Sequence, residues 1–142
     1  MDKITEAINK WLLQYEKIKE IAEEIHTEEL PEDTDVLALQ RTGVENLPLK
    51  YISQRGWYRQ YQYILLLKKY SEDDIQRIQN LDWLDDLNDW IDKQNILRNF
   101  PKIKNKKVKK VSCANAITYE TNEDGSISAY YIQLYFNIEG GI

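Results

Sequence analysis

From Ile4 the apolar residues recur at steps of three and four, as Ile4, Ala7, Ile8, Trp11, Leu12, Tyr15, Ile18, Ala22 and Ile25. That spacing lays them along one face of an α-helix. The predicted helix ends before Pro31, whose ring restricts the residue ahead of it and which supplies no N–H. Glu32-Asp33-Thr34 then reads as a loop. Val36-Leu37-Ala38-Leu39 followed by Arg41-Thr42-Gly43 predicts a short strand ending in a turn, although a run this short also fits helix. Residues 50–70 are dense in tyrosine and large apolar side chains, and they read as two strands meeting near a Gln54-Arg55-Gly56 turn. The second arm, Trp57 to Tyr70, holds the continuous run Ile64-Leu65-Leu66-Leu67 expected of a strand covered on both faces, so it is predicted to be central.

Ser71-Glu72-Asp73-Asp74 offers an N-cap hydroxyl and three acids where the free N–H groups of a new helix favour them. Ile75, Ile78, Leu81, Leu84, Leu87 and Ile91 form the inner stripe of that second helix, flanked by Trp83 and Trp90, and the pattern ends near Asn95, ahead of Phe100-Pro101. Ile103, Val108 and Val111 then alternate among lysines and lead into a strand through Ile117 and Tyr119. Residues 121–126 contain Asp124-Gly125, suited to a turn. In the last strand Tyr130, Ile132, Leu134, Phe136 and Ile138 point one way, and Ala129, Tyr131, Gln133, Tyr135 and Asn137 the other. Short turns between strands favour an α+β fold, a mostly antiparallel sheet with two amphipathic helices packed on one face.

At 142 residues the chain fits one domain, residues 1–142, and its 42% hydrophobic and 30% charged content is that of an ordinary globular protein. Cys113 is the only cysteine, which excludes an internal disulfide and a C-x-x-C site and fits a reducing compartment. No apolar stretch approaches the length needed for a secretory leader or a bilayer span, so no membrane partner is expected.

The net charge of −5 conceals a segregation. Residues 1–35 sum to −7, 36–70 to +5, 71–97 to −6, 98–110 to +7 and 111–142 to −4. Asp82, Asp85, Asp86 and Asp89 follow i, i+3, i+4, i+7 spacing, which crowds four carboxylates on one face of the second helix. A solvated face is the plain reading of this stripe, with contact to a charged partner or a bound cation as the functional ones. Lys102, Lys104, Lys106, Lys107, Lys109 and Lys110, with Arg98, form the basic segment. It reads as an edge-protecting strand, as a contact for an acidic protein surface, or as a contact for nucleic acid; aromatics for base stacking are not interleaved with the lysines. Tyr131 and Tyr135, on the outward face of the last strand, are the better aromatic interface residues.

Catalytic machinery is not legible. His26 is the only imidazole, placed by the predicted pattern near the C-terminus of the first helix, and Cys113 falls in a different element. Neither a phosphate-binding glycine loop nor an H-E-x-x-H pattern is present. The expectation is an assembly protein, not an enzyme, with no cofactor and no metal.

A resemblance makes that expectation specific. Trp57-Tyr58-Arg59-Gln60-Tyr61-Gln62-Tyr63-Ile64 is followed by Ser71-Glu72-Asp73 opening a helix, whose body runs from Leu81-Asp82-Trp83-Leu84 to Trp90-Ile91-Asp92-Lys93-Gln94. The Phe100-Pro101 break and the closing strand Ala129-Tyr130-Tyr131-Ile132-Gln133-Leu134-Tyr135-Phe136 come next. In these features, from Trp57 to Gly140, the chain resembles the minor capsid proteins related to tail terminators in phages of Gram-positive hosts. The likeness is one of element order and aromatic positions, so no site residue is carried over. It implies a homo-oligomeric ring, a hexamer, at the head-proximal end of the virion tail. Such a ring caps the tail tube protein and joins a head-completion (neck) protein, and DNA passes through its lumen unread. Assembly would take place in the host bacterial cytoplasm, and the abundance of Lys, Ile and Asn fits a low-GC host. The alternatives are a head-completion or connector protein, a small protein-binding regulator and, among enzymes, a nuclease.

Overall fold

A computed structural model describes residues 2–18, 25–27, 36–46, 56–70, 74–114, 117–121 and 127–140. The first helix, α1 (Lys3–Leu12), opens on Asp2, whose carboxylate accepts the Thr5 N–H at 2.7 Å and the Thr5 hydroxyl at 2.8 Å. It is much shorter than the periodicity predicts. Backbone bonds from Gln14 to Trp11 and from Tyr15 to Leu12 tighten the chain, and a 3₁₀ turn follows at Glu16–Ile18. Leu12, Tyr15 and Ile18 stay buried on one side because a 3₁₀ turn aligns every third residue, as an α-helix roughly does. Ile25–Thr27, expected to finish the helix, is instead strand β1, and His26 pairs in register with Ala38. The expected placement of His26 at a helix C-terminus is therefore wrong.

Strand β2 (Val36–Asn46) runs through the predicted turn at Arg41-Thr42-Gly43. Arg41 faces Tyr63 and Gly43 faces Gln62, so Thr42 is an extra residue taken up as a bulge. β2 is also the antiparallel partner of β3 (Trp57–Tyr70), a place the sequence assigned to an arm starting at residue 50. The predicted turn residues Gln54 and Arg55 lie outside the described residues. β3 is central, as expected, and pairs along its whole length with β6 (Ile127–Gly140). Helix α2 (Asp74–Leu97) joins β3 to β4 (Lys106–Cys113) and β5 (Ile117–Thr121); its predicted cap, Ser71, is outside the described residues.

The sheet order is β1-β2-β3-β6-β4, with β5 also on β6. Among the described residues only β1 and β2 pair in parallel. β4 and β5 share one edge of β6. Their pairing with β6 shifts register through bulges at Val108/Lys110 and Thr118/Glu120. Bulges of this kind bend and twist an edge away from further pairing.

The fold is α+β with both helices on one sheet face. Ile8, Trp11 and Leu12 of α1 and Leu84, Leu87 and Ile91 of α2 close over Tyr63, Leu65, Leu67, Leu134 and Phe136 of the sheet. Trp11 is the junction. Its ring lies 4.9 Å from that of Trp90 and 5.7 Å, edge-on, from that of Phe136, and its Nε1 donates to the Asn99 carbonyl at 2.7 Å.

Candidate functional site

Burial of Trp83, Leu84, Leu87 and Ile91 turns the opposite side of α2 to solvent, and Asp82, Asp85 and Asp89 are exposed there. Asp86 differs. It takes an ion pair from Lys17 at 2.6 Å, while the backbone carbonyl of Lys17 accepts Trp83 Nε1 at 3.2 Å. The stripe thus divides into three exposed acids and one that fastens the 3₁₀ turn to α2.

The basic segment begins where α2 ends. Asn99 N–H donates to the Gln94 carbonyl at 3.0 Å and Arg98 N–H to that of Asn95 at 3.3 Å, around a left-handed Arg98 with φ of 55°. This is the helix-ending geometry in which glycine is the usual occupant. The Asn99 amide is held by Gln94 at 2.7 Å and Gln14 at 2.9 Å, so the departure of the chain is fixed. Pro101 is buried, and a turn from Ile103 to Lys106, with Asn105 at φ of 63°, starts β4. Arg98, Phe100, Pro101, Lys102, Ile103, Lys104, Lys106, Lys107 and Val108 line a groove of about 480 Å³ at this end of the molecule. Lys104 and Lys107 are exposed and Lys106 is half-buried. Lys109 lies 3.7 Å from Glu139, a carboxylate only 9% exposed.

β4 is the sheet edge, and α2 closes it at one point. The Asn95 side chain accepts Val111 N–H at 2.9 Å and donates to the Val111 carbonyl at 2.6 Å, completing both outward backbone groups of that residue. One amide stands in for a neighbouring strand.

On the sheet face away from the helices, Tyr131 and Tyr135 are both half-buried, as the alternation predicts. Tyr135 stands opposite Gln62, Asn137 opposite Gln60 and Gln133 opposite Ile64. Gln62 donates to Gln60, Gln60 to Asn137, and the Tyr135 hydroxyl to Gln133 at 2.7 Å. The middle of this face is a hydrogen-bonded surface of amide and tyrosine groups, flanked by Glu45 of β2, whose carboxylate accepts Gln62 at 3.4 Å, and by Lys110 of β4 opposite Asn137. Towards its far end Leu66 and Ala38 are buried.

One polar cluster escaped the sequence reading. The Tyr63 hydroxyl, buried, lies 2.8 Å from Thr5 Oγ1 and accepts Arg41 Nε at 3.2 Å, while Arg41 also pairs with Asp2 at 3.0 Å. Burial pushes the Tyr63 phenol up; at Asp2 burial acts upward too, but the Thr5 bonds and the Arg41 charge outweigh it and hold the carboxyl below its ordinary value. Burial likewise opposes the charge on Arg41, and its bond to Tyr63 and the Asp2 carboxylate more than compensate. The cluster fastens the start of α1 to β2 and β3. The Asp2-x-x-Thr5 spacing was its only local signal, since Arg41 and Tyr63 arrive through sheet register.

Cys113 donates to Asn88 Oδ1 at 2.7 Å, and burial, with a smaller contribution from Asp92, pushes its thiol up to about 12. Among the described residues no group of three His, Cys, Asp or Glu side chains is placed to hold a metal ion, and no helix is long and apolar enough to cross a membrane. Neither a family model nor a curated protein matches the chain.

Proposed function

We propose that this chain is a structural virion protein of the tail-terminator kind, whose subunits close into a ring that caps the tail tube and joins it to the head. The reading rests on the resemblance above, and the observation that carries it is the outer face of β3 and β6. In a chain with 30% charged residues, the middle of that face presents Gln60, Gln62, Ile64, Gln133, Tyr135 and Asn137, neutral side chains partly bonded to one another, which cost less to desolvate under a flat partner than ionised ones.

A closed ring repeats a head-to-tail contact in which two different patches of one subunit meet. Asp82, Asp85 and Asp89 are one candidate patch, and Lys104, Lys106 and Lys107 the other, meeting in a neighbour or in the adjoining tail ring. Such rim charges set orientation and encounter rate more than affinity, and the anchoring falls to Tyr131, Tyr135 and residues 57–63. Asp86 and Lys109 leave these sets because each is engaged within the subunit. The ring, a hexamer by the resemblance, would sit between the tail tube protein and a head-completion protein with DNA passing through its lumen.

The substitution Tyr135→Glu tests the carrying observation by placing a charge in the middle of the face. Expected is loss of the oligomer to 16.9 kDa monomers with far-ultraviolet circular dichroism and unfolding midpoint retained. An oligomer that persists in the folded variant removes the face, and with it this reading.

A further inference from the structure

At the end of α2 two large apolar side chains stand in water, Ile96 at 82% exposure and Leu97 at 61%. Arg98 follows them directly and also lines the groove floored by Phe100, Pro101, Ile103 and Val108. Around this apolar strip lie Arg98, Lys102, Lys104, Lys106 and Lys107, five cations with no carboxylate among the described residues lining the groove itself; Glu139, which is buried, and Asp92 line adjoining pockets with Lys106 and Lys107 and with Arg98. Ile96 and Leu97 immediately precede the groove-lining Arg98, so exposed aliphatic and cationic side chains share this end of α2. The backbone is also held in place there. Arg98 occupies a left-handed position that glycine would fill with less strain, and Asn99 is fixed by Gln94 and Gln14.

We propose that this end of α2 and its groove bind an acidic partner segment that carries an apolar side chain, the aliphatic or aromatic group meeting the apolar side chains there while flanking carboxylates meet Arg98 and the lysines. The inference deepens the reading above by naming the partner of the lysine end. Of the two places named above for the lysines, the adjoining tail ring is the one that fits and not the neighbouring subunit, because the stripe Asp82, Asp85 and Asp89 of a second copy supplies charge while Trp83, Leu84 and Leu87 beside it are buried in their own core. Nucleic acid would match the cations, but it would leave the aliphatic residues unused, and Phe100 is the only aromatic in the groove.

The test uses the whole protein and fluorescein-labelled synthetic peptides read by anisotropy. One peptide has aspartates around a central Leu-Phe pair; a second has the aspartates as asparagine; a third has Leu-Phe as Ser-Ser. Expected is binding of the first, at least tenfold weaker binding of each of the others, and weakening of the first as salt rises. Lys104→Glu with Lys106→Glu and Lys107→Glu should lower the affinity at least tenfold. So should Ile96→Ser with Leu97→Ser, which alters only exposed side chains and keeps the inference testable if the charge variant misfolds. No binding of the first peptide, equal binding of the Ser-Ser peptide, or tighter binding to duplex DNA or to phosphatidylserine vesicles overturns the proposal. Mass measured on the same samples separates the two readings: peptide binding by a monomer leaves this inference standing without the ring, and a ring without peptide binding does the reverse.

Discussion

Asn95→Ala removes the amide that completes the outward edge of β4. Three bonds disappear, to Val111 N–H at 2.9 Å, to the Val111 carbonyl at 2.6 Å and to the Ile91 carbonyl at 3.2 Å. The last counts for little, because that carbonyl keeps its place in the helix ladder. The first two matter more, since Val111 is 1% exposed and the edge there is overlaid by α2. Each intramolecular bond contributes about 1 kcal/mol net, and a buried backbone group left without a partner costs about 1–3 kcal/mol, so the loss should be about 2–4 kcal/mol. Urea denaturation should show it as a lower midpoint at unchanged slope. Hydrogen exchange should show it locally, as early loss of protection at the Val111 amide. Asn95→Asp adds a check on sign. The orientation of the asparagine is fixed, because an N–H can only donate and a carbonyl only accept, so the aspartate would set a carboxylate against the Val111 carbonyl and its folded pKa would be raised. Stability associated with a raised pKa is fully present below the unfolded value and lost as pH rises through the folded one, so the deficit of Asn95→Asp should shrink on acidification while that of Asn95→Ala stays level. A loss below about 0.5 kcal/mol in both variants, with Val111 still protected, would refute the edge-clamp account.

Three further outcomes follow from the same geometry. The lowered pKa of Asp2 means that its contribution is complete above the ordinary value of 3.8 and is lost as pH falls through the lower folded value; Asp2→Asn should flatten the acid limb of stability against pH in that window. The thiol of Cys113, raised from 9.0 to about 12, should have about a thousandfold less thiolate than an ordinary cysteine at pH 8 and react correspondingly slowly with a disulfide reagent, and Cys113→Ser and His26→Ala should change stability by about 1–2 kcal/mol at most without affecting assembly. Lys109→Glu should cost about 1–2 kcal/mol in the isolated subunit, because it faces the buried Glu139 with a like charge, whereas Lys104→Glu should leave thermal unfolding unchanged.

What was legible in the chain follows from which signals are local. The period-2 alternation of 129–138 and the apolar run 64–67 gave β6 and β3 their faces and the latter its central place, since each strand carries its own pattern. The buried stripe Leu84, Leu87 and Ile91 likewise placed Asp82, Asp85 and Asp89 outward. α1 was overextended because steps of three fit an α-helix and a 3₁₀ turn alike, and Ile25-His26-Thr27 then joined a stripe to which it does not belong. The bulge at Thr42 resembled a turn because Gly43 follows in both. Long-range partners left no trace in sequence. Nothing near Arg41 announces Tyr63, and nothing near Asn95 announces Val111. The ion pairs that remove Asp86 and Lys109 from the candidate surfaces depend on a 3₁₀ turn and a bulge that the spacing did not show.

The ring itself is the central claim, and native mass spectrometry of the purified protein, with the same sample imaged by negative-stain electron microscopy, tests it most directly. The account predicts a single closed assembly at an integer multiple of 16.9 kDa, six by the resemblance, with annular particles and a central hole. A monomer at all concentrations up to those reached in assembly, or an open filament in place of a closed ring, would contradict it.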